Sequence, residues 1–266
     1  AMANYELGVL EQAKMRAICS ACDEILAGKL HEQFVVDMFQ GGAGTSTNMN
    51  ANEVIANRGL EILGHEKGEY SHLHPNDDVN CSQSTNDVYP TAIKLAVILS
   101  LKDLLAAMGE LRRALEQKAV DFSKVLKMGR TENQDAVPMT LGQEFGAYGR
   151  LIESASGALQ RAADELHDLN MGATAIGTGI NSPPGYAERV TRLLAEVSGL
   201  PVRKAENLVE ATQDSGSFAQ MSGTMKRAAV QISKICNDLR WLSSGPRCGL
   251  NEINLPPMQP GSSIMP

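Results

Sequence analysis

Two stretches of this chain crowd hydroxyl and amide side chains together in a pattern suited to holding a small carboxylate. In the first, Gly41, Gly42 and Gly44 lead into Thr45, Ser46, Thr47, Asn48 and Asn50; in the second, Ser82, Ser84, Thr85 and Asn86 stand almost side by side. Glycines let backbone amides approach a ligand, and Ser, Thr and Asn donate hydrogen bonds without needing a metal. The same residues also cap helices and build turns, and each cluster read alone is better explained that way. Phosphate chemistry fits less well. The GGAGTS run has no lysine after its glycines, so it is not a P-loop, and it does not match GxGxxG. The run from Gly172 to Asn181 also lacks a third glycine at the required spacing, and no strand-helix unit surrounds it.

Thiol and metal chemistry find little support. Cys19 and Cys22 form a CxxC, but there is no second such pair and no nearby histidine pair, and the surroundings read as helix. His72 and His74 lie beside a Pro-Asn-Asp-Asp loop and could reach a metal, although solvation in a loop is the simpler expectation.

These clusters must be held by helices. From Thr91 to about Phe122, apolar residues recur at Ile93, Val97, Leu101, Leu104, Leu105, Met108, Leu111 and Leu115, the stripe of a helix packed on other helices. Pro90 would sit in its first turn, where the missing amide hydrogen has no partner to lose. At about 1.5 Å per residue, such a helix is a rod of roughly 48 Å. A second rod runs from about Met139 to Leu169, and a third from about Ala205 to Ser243 without a proline. A shorter helix near Tyr186 to Ser198 links them, and the first residues read as a helix already under way. No alternating strand pattern of useful length is visible. Rods this long exceed what one small domain covers, so their apolar stripes predict a bundle and a homo-oligomer. A boundary falls near Ser84, with residues 1–84 the remainder of an N-terminal helical domain and 85–266 the central long-helix domain.

The composition agrees. With 43% hydrophobic, 21% charged and only 4% aromatic residues, the chain favours helix over sheet. A net charge of -7 and a pI near 5.3 leave no basic face for nucleic acid. No apolar run is long enough to span a membrane, and no signal-peptide pattern opens the chain. Five scattered cysteines fit a reduced, cytoplasmic protein.

Four segments together carry a family resemblance: GGAGTSTNMNANEV (Gly41 to Val54), SQSTNDVYPT (Ser82 to Thr91), GRTENQDAVPMTLGQEF (Gly129 to Phe145) and the terminal GSSIMP (Gly261 to Pro266), preceded by SSGPRCGLNEINLP (Ser243 to Pro256). The chain resembles the aspartase/fumarase superfamily of lyases along essentially its whole length. The resemblance implies a mainly all-α fold of long helical rods packed in a homotetramer, with active sites shared between subunits. It implies removal of a proton from the carbon beside a substrate carboxylate, giving an aci-carboxylate dianion, followed by loss of the leaving group.

By position match, the base is Ser262. Thr45, Ser84, Thr85 and Ser263 correspond to ligands of the reacting carboxylate, Asn86 to the ligand of the leaving amino group, and Thr131 to a ligand of the other carboxylate. An unaided serine is a poor base, so donors and a closed, dry loop must lower that cost. The resemblance implies no required cofactor and no metal, while a divalent activator is not legible in the sequence.

The wording departs from the family at two points. Glu132 stands where His or Gln is usual, and a carboxylate there would repel a dianion unless protonated, turned away or paired with the substrate ammonium. Cys81 stands where Lys is common, removing a positive charge. Gly249-Leu250-Asn251-Glu252 and the Val137-Pro138 phrase resemble the branch that deaminates L-aspartate to fumarate more than class II fumarases, which convert L-malate; a non-catalytic helical assembly is the reading from a different class. The family's last loop continues beyond Pro266 with a substrate-holding Lys and Asn, and a preceding Gly-Thr-Arg segment and a C-terminal helical domain are also expected. Taken alone, the chain is therefore expected to be catalytically weak or inactive.

Overall fold

In a computed structural model, which describes residues 1–39, 42–258 and 261, the chain is built largely from helices. The opening residues form two helices, α1 (Met2–Glu6) and α2 (Gln12–Leu26), separated by a turn at Gly8. The GGAG segment supplies Gly44 as the left-handed N-cap of α3 (Thr45–Ile62), so the first hydroxyl cluster begins a helix. A single π turn, Pro75–Val79, precedes α4 (Thr85–Asp121), a helix of 37 residues. Then follow β1 (Leu126–Thr131), β2 (Gln134–Thr140), α5 (Leu141–Glu165), β3 (Asp168–Leu169), α6 (Tyr186–Ser198), β4 (Arg203–Lys204), α7 (Leu208–Gln213) and α8 (Gly216–Leu242).

The described residues gather into two compact units, each drawn from two stretches of chain. One comprises Ala1–Leu99 with Asp164–Ser217, the other Ser100–Ala163 with the residues from Phe218 onward. In the first unit, α2 packs on α3 around Leu10, Ile18, Ala56, Leu60, Leu73 and Val79. Gly59 lets the Leu73 side chain lie close against α3, where a Cβ would meet its terminal carbon at 2.4 Å and force it to shift. Burying six such side chains supplies the driving force for this unit, at roughly 1.5–3 kcal/mol for each large one. The short strands β3 and β4 pair in parallel. In the second unit, α5 lies between the later part of α4 and α8. Arg112 and Met108 of α4 meet Glu153 and Ser156 of α5. On the other side, Tyr148 and Ser154 of α5 bond to Asp238 and Arg227 of α8.

The mainly helical fold and α6 match expectation, and four features differ from it. First, β1 and β2 form an antiparallel hairpin where no strand was expected. Its loop is Glu132-Asn133, with φ of 52° and 63°, the two left-handed residues of a type I′ turn. A bulge between Met128 and Arg130 bends it, and Gly129 is needed there because a Cβ would lie 2.8 Å from the Val137 carbonyl oxygen. Second, the third rod is broken: Asp214 leaves helical geometry (ψ 133°) and its carboxylate caps Gly216 N–H at 3.0 Å, starting α8. Third, α5 ends at Glu165, and Asp168 and Leu169 are strand. Fourth, α4 begins at Thr85, which places Pro90 inside the helix. The carbonyl that Pro90 cannot serve belongs to Asn86, and Asn170 Nδ2 donates to it at 3.0 Å.

Candidate active site

The first unit joins the two hydroxyl clusters through their helix starts. Asn48, in the first turn of α3, donates to Thr85 Oγ1 at 3.0 Å, the residue that opens α4. Asn48 also donates to Asn80 Oδ1 at 3.2 Å, and Asn52 donates to the same oxygen at 3.1 Å. Gly44 closes the approach from the other side: a Cβ on it would lie 2.3 Å from the Tyr89 ring of α4. Two helix N-termini thus open beside one another, and the positive end of each helix dipole favours an anion.

The hydroxyls divide by what they have left to give. Thr85 Oγ1 accepts from Asn48, and Ser84 Oγ accepts from Asn86 N–H at 3.2 Å, so both keep a proton to donate. Thr45 Oγ1 donates to Gly42 O at 2.9 Å and must release that bond to serve a ligand. The exposed Asn86 donates its Nδ2 to Ala175 O at 2.8 Å, which leaves its amide oxygen as an acceptor.

Asp87 anchors this corner. It is fully buried, and its carboxylate accepts from Ser84 N–H at 3.0 Å, Gly172 N–H at 3.2 Å and Thr174 N–H at 2.8 Å. Burial pushes its pKa up to about 6 even though those amides favour the charged form. The loop it holds is tight: Gly172 has φ 91°, and a Cβ there would lie 2.6 Å from Ala187.

Thr131 and Glu132 belong to the second unit. Thr131 ends β1 and is exposed, and Glu132 is the first turn residue, exposed as well. Their hairpin is fixed from below by charge. Lys127 pairs with Glu144 and, at 2.9 Å, with Glu252, while Arg130 pairs with Glu252 and lies 5.5 Å from the Trp241 ring. Burial drives the Glu252 pKa upward, but the bonds from Arg130 and Lys127 outweigh it and hold the carboxyl below its usual range. Above this network lies a cavity of about 250 Å³ bordered by Arg130, Glu132, Asn133, Glu144 and Trp241. Ser262 and Ser263 lie outside the described residues.

The family model described as Lyase matches residues 1–266. The chain belongs to this lyase family. It is 58% identical to an aspartate ammonia-lyase of Helicobacter pylori (strain ATCC 700392 / 26695) over 265 residues, covering 100% of this chain and 57% of that protein. It is also 58% identical to the aspartate ammonia-lyase of Escherichia coli (strain K12), covering 100% of this chain and 56% of that one. The chain thus spans somewhat more than half the length of the curated relatives it matches. Among solved structures it resembles a fumarate lyase/delta crystallin of Brucella melitensis bound to cobalt (TM-score 0.96, 55% identity, 100% of this chain and 58% of that one). It also resembles a class II fumarase of Schistosoma mansoni (TM-score 0.95, 35% identity, 100% and 59%).

Within this lyase framework, four of the residues singled out by motif (Thr45, Ser84, Thr85 and Asn86) are gathered in the first unit, and Thr131 and Glu132 stand in the second. Sequence reasoning missed the residues that hold them. Asn80 lies just ahead of Ser82 and Asp87 just after Asn86, and the polar density of that stretch was the available signal. For Asn170, Lys127 and Glu252 no local signal existed, because their partners lie far along the chain.

Proposed function

We propose that this chain carries the core of an aspartate ammonia-lyase, deaminating L-aspartate reversibly to fumarate and ammonia. The observation that carries the reading is the pair of hydroxyls, Ser84 and Thr85, whose own hydrogen bonds leave both protons available beside two helix N-termini. Such donors suit the carboxylate that gains a second negative charge when the neighbouring carbon loses its proton, and stabilising that aci-carboxylate is the main catalytic demand. Thr45 and Ser263 add donors to the same group. Asn86 offers its amide oxygen to the departing ammonium, and Thr131 binds the other carboxylate. Ser262 takes the proton. Glu132 serves the turn and stays clear of the dianion.

The relatives at 58% identity, all aspartate ammonia-lyases, support this substrate over L-malate. The oligomer belongs to the same reading: a homotetramer with the central domain from residue 85 onward in its bundle and sites shared between copies. It is supported by apolar side chains left uncovered along α4, including Leu104 and Leu111, each 37% exposed. Five free cysteines support a cytoplasmic location, and among the described residues no helix is long and apolar enough to cross a membrane. The test follows fumarate by its ultraviolet absorbance in the protein carrying this chain, with L-aspartate and separately with L-malate. Fumarate from aspartate alone, lost by at least about a thousandfold in Ser262→Ala, is expected. Fumarate from malate alone would make the protein a fumarase, and activity surviving in Ser262→Ala would overturn the assignment of the base.

A further inference from the structure

We propose that His65, Glu69 and His72 form a binding site for a transition-metal ion of the zinc class, separate from the hydroxyl cluster. Gly64, with φ 85°, turns the chain out of α3, and His65 N–H returns to Leu60 O at 2.9 Å. His72 N–H then bonds to Glu69 O at 3.0 Å, closing the next turn. The loop between is tied back to α3, since Asn57 accepts from Gly68 N–H at 2.9 Å and donates to the Tyr70 hydroxyl at 3.1 Å. Leu60 and Leu73, both fully buried, anchor the chain on either side. The backbone bearing the two histidines is therefore set without help from their rings.

On that frame the His65 and His72 rings stack with centroids 3.8 Å apart. Glu69 Oε2 lies 3.4 Å from His65 Nδ1, and Glu66 N–H holds the same oxygen at 3.1 Å. One nitrogen from each ring and one carboxylate oxygen all fall within 4.8 Å of one another. Two imidazoles and a carboxylate suit zinc, cobalt or nickel, whereas magnesium and calcium prefer oxygen alone. A shared ion must lie in the plane of both rings, and stacked planes do not meet. His72 is exposed, and binding would turn its ring edge-on, with water completing the shell on the open face. The ion would then clip the end of α3 to the strap that leads through the π turn to Asn80.

Cobalt(II) and zinc(II) titrations of the full chain, by calorimetry and cobalt absorption, test this. Wild type should bind one ion at this site and unfold at a higher temperature in its presence, because an ion that binds only the folded state stabilises it. Affinity should fall by about tenfold or more in His72→Ala and Glu69→Gln. His31→Ala, which leaves all five thiols in place, should bind as wild type does. All three replaced side chains are exposed, and unchanged circular dichroism without metal checks their folding. Equal binding by His72→Ala and wild type would place the ion elsewhere, at a thiol for instance, and overturn the proposal. No binding, or an equal thermal shift with magnesium alone, would overturn it too.

Discussion

Asp87 sits where the start of α4 meets a buried loop, and its charge is what the corner must accommodate. A carboxylate that accepts three backbone N–H bonds is well served in hydrogen bonding, yet burial still raises its pKa to about 6 from an ordinary value near 3.8. The folded state therefore favours the protonated form. The stabilising effect of that preference is full below the ordinary value and is lost as pH rises through about 6. In Asp87→Asn this pH dependence disappears, and one acceptor oxygen replaces two, leaving a buried amide hydrogen unserved at a cost of about 1–3 kcal/mol. Urea unfolding at a series of pH values should show wild type more stable than Asp87→Asn by a margin that shrinks as pH rises across this window. A margin that widens would mean that the amides, not burial, dominate. Thr85 and Asn86 could be picked out from their motif, because the chemistry they offer is written in their own side chains. Asp87 could not, since its meaning depends on Gly172 and Thr174, whose approach is a product of folding.

The same division holds for whole elements. Stripes of apolar residues made α5 and α6 visible, because burial of one helical face repeats every three or four residues. The hairpin carries no such repeat. Val137 and Leu126 are exposed, Lys127 is drawn into an ion pair, and the turn is Glu-Asn where Asn-Gly would have announced it. Charge and a bulge hold it, and neither leaves a period in the sequence. The break before α8 was hidden in the same way, by a capping carboxylate at Asp214 with no proline beside it. Pro90 misled in the opposite direction: it marks a helix start in isolation, but Asn170 supplies the bond it removes and lets α4 run through. The turn also yields a prediction. Glu132 holds φ 52°, a conformation that costs most L-residues about 1–2 kcal/mol and asparagine less. Glu132→Asn should stabilise the protein by roughly 0.5 kcal/mol, read as a small rise in thermal midpoint. A fall would mean that the Glu132 carboxylate is held by the cations bordering the cavity.

For the molecule as a whole, the long helix α4 poses a problem of covering. Leu101, Met108 and Leu115 recur every seven residues and are buried, at 7%, 3% and 6% exposure. Leu104 and Leu111 form a second column three residues on, and each remains 37% exposed. One column is satisfied within the chain; the other is what a helix presents when further helices pack against it, as in a bundle whose seam alternates threes and fours. On α8, Met225 is likewise 47% exposed. Covering a leucine fully is worth about 1.5–3 kcal/mol, and symmetry repeats each contact in every copy, so a few such positions suffice to hold an assembly. Replacing both Leu104 and Leu111 with lysine should therefore convert the proposed tetramer to smaller species in sedimentation analysis while helicity by circular dichroism stays the same, since neither side chain fills the core of its own chain. Because the proposed site draws residues from several copies, fumarate formation should fall along with the assembly. Loss of assembly with full activity would show instead that one copy completes the site by itself, and unchanged sedimentation would mean that the second column is not the seam between copies.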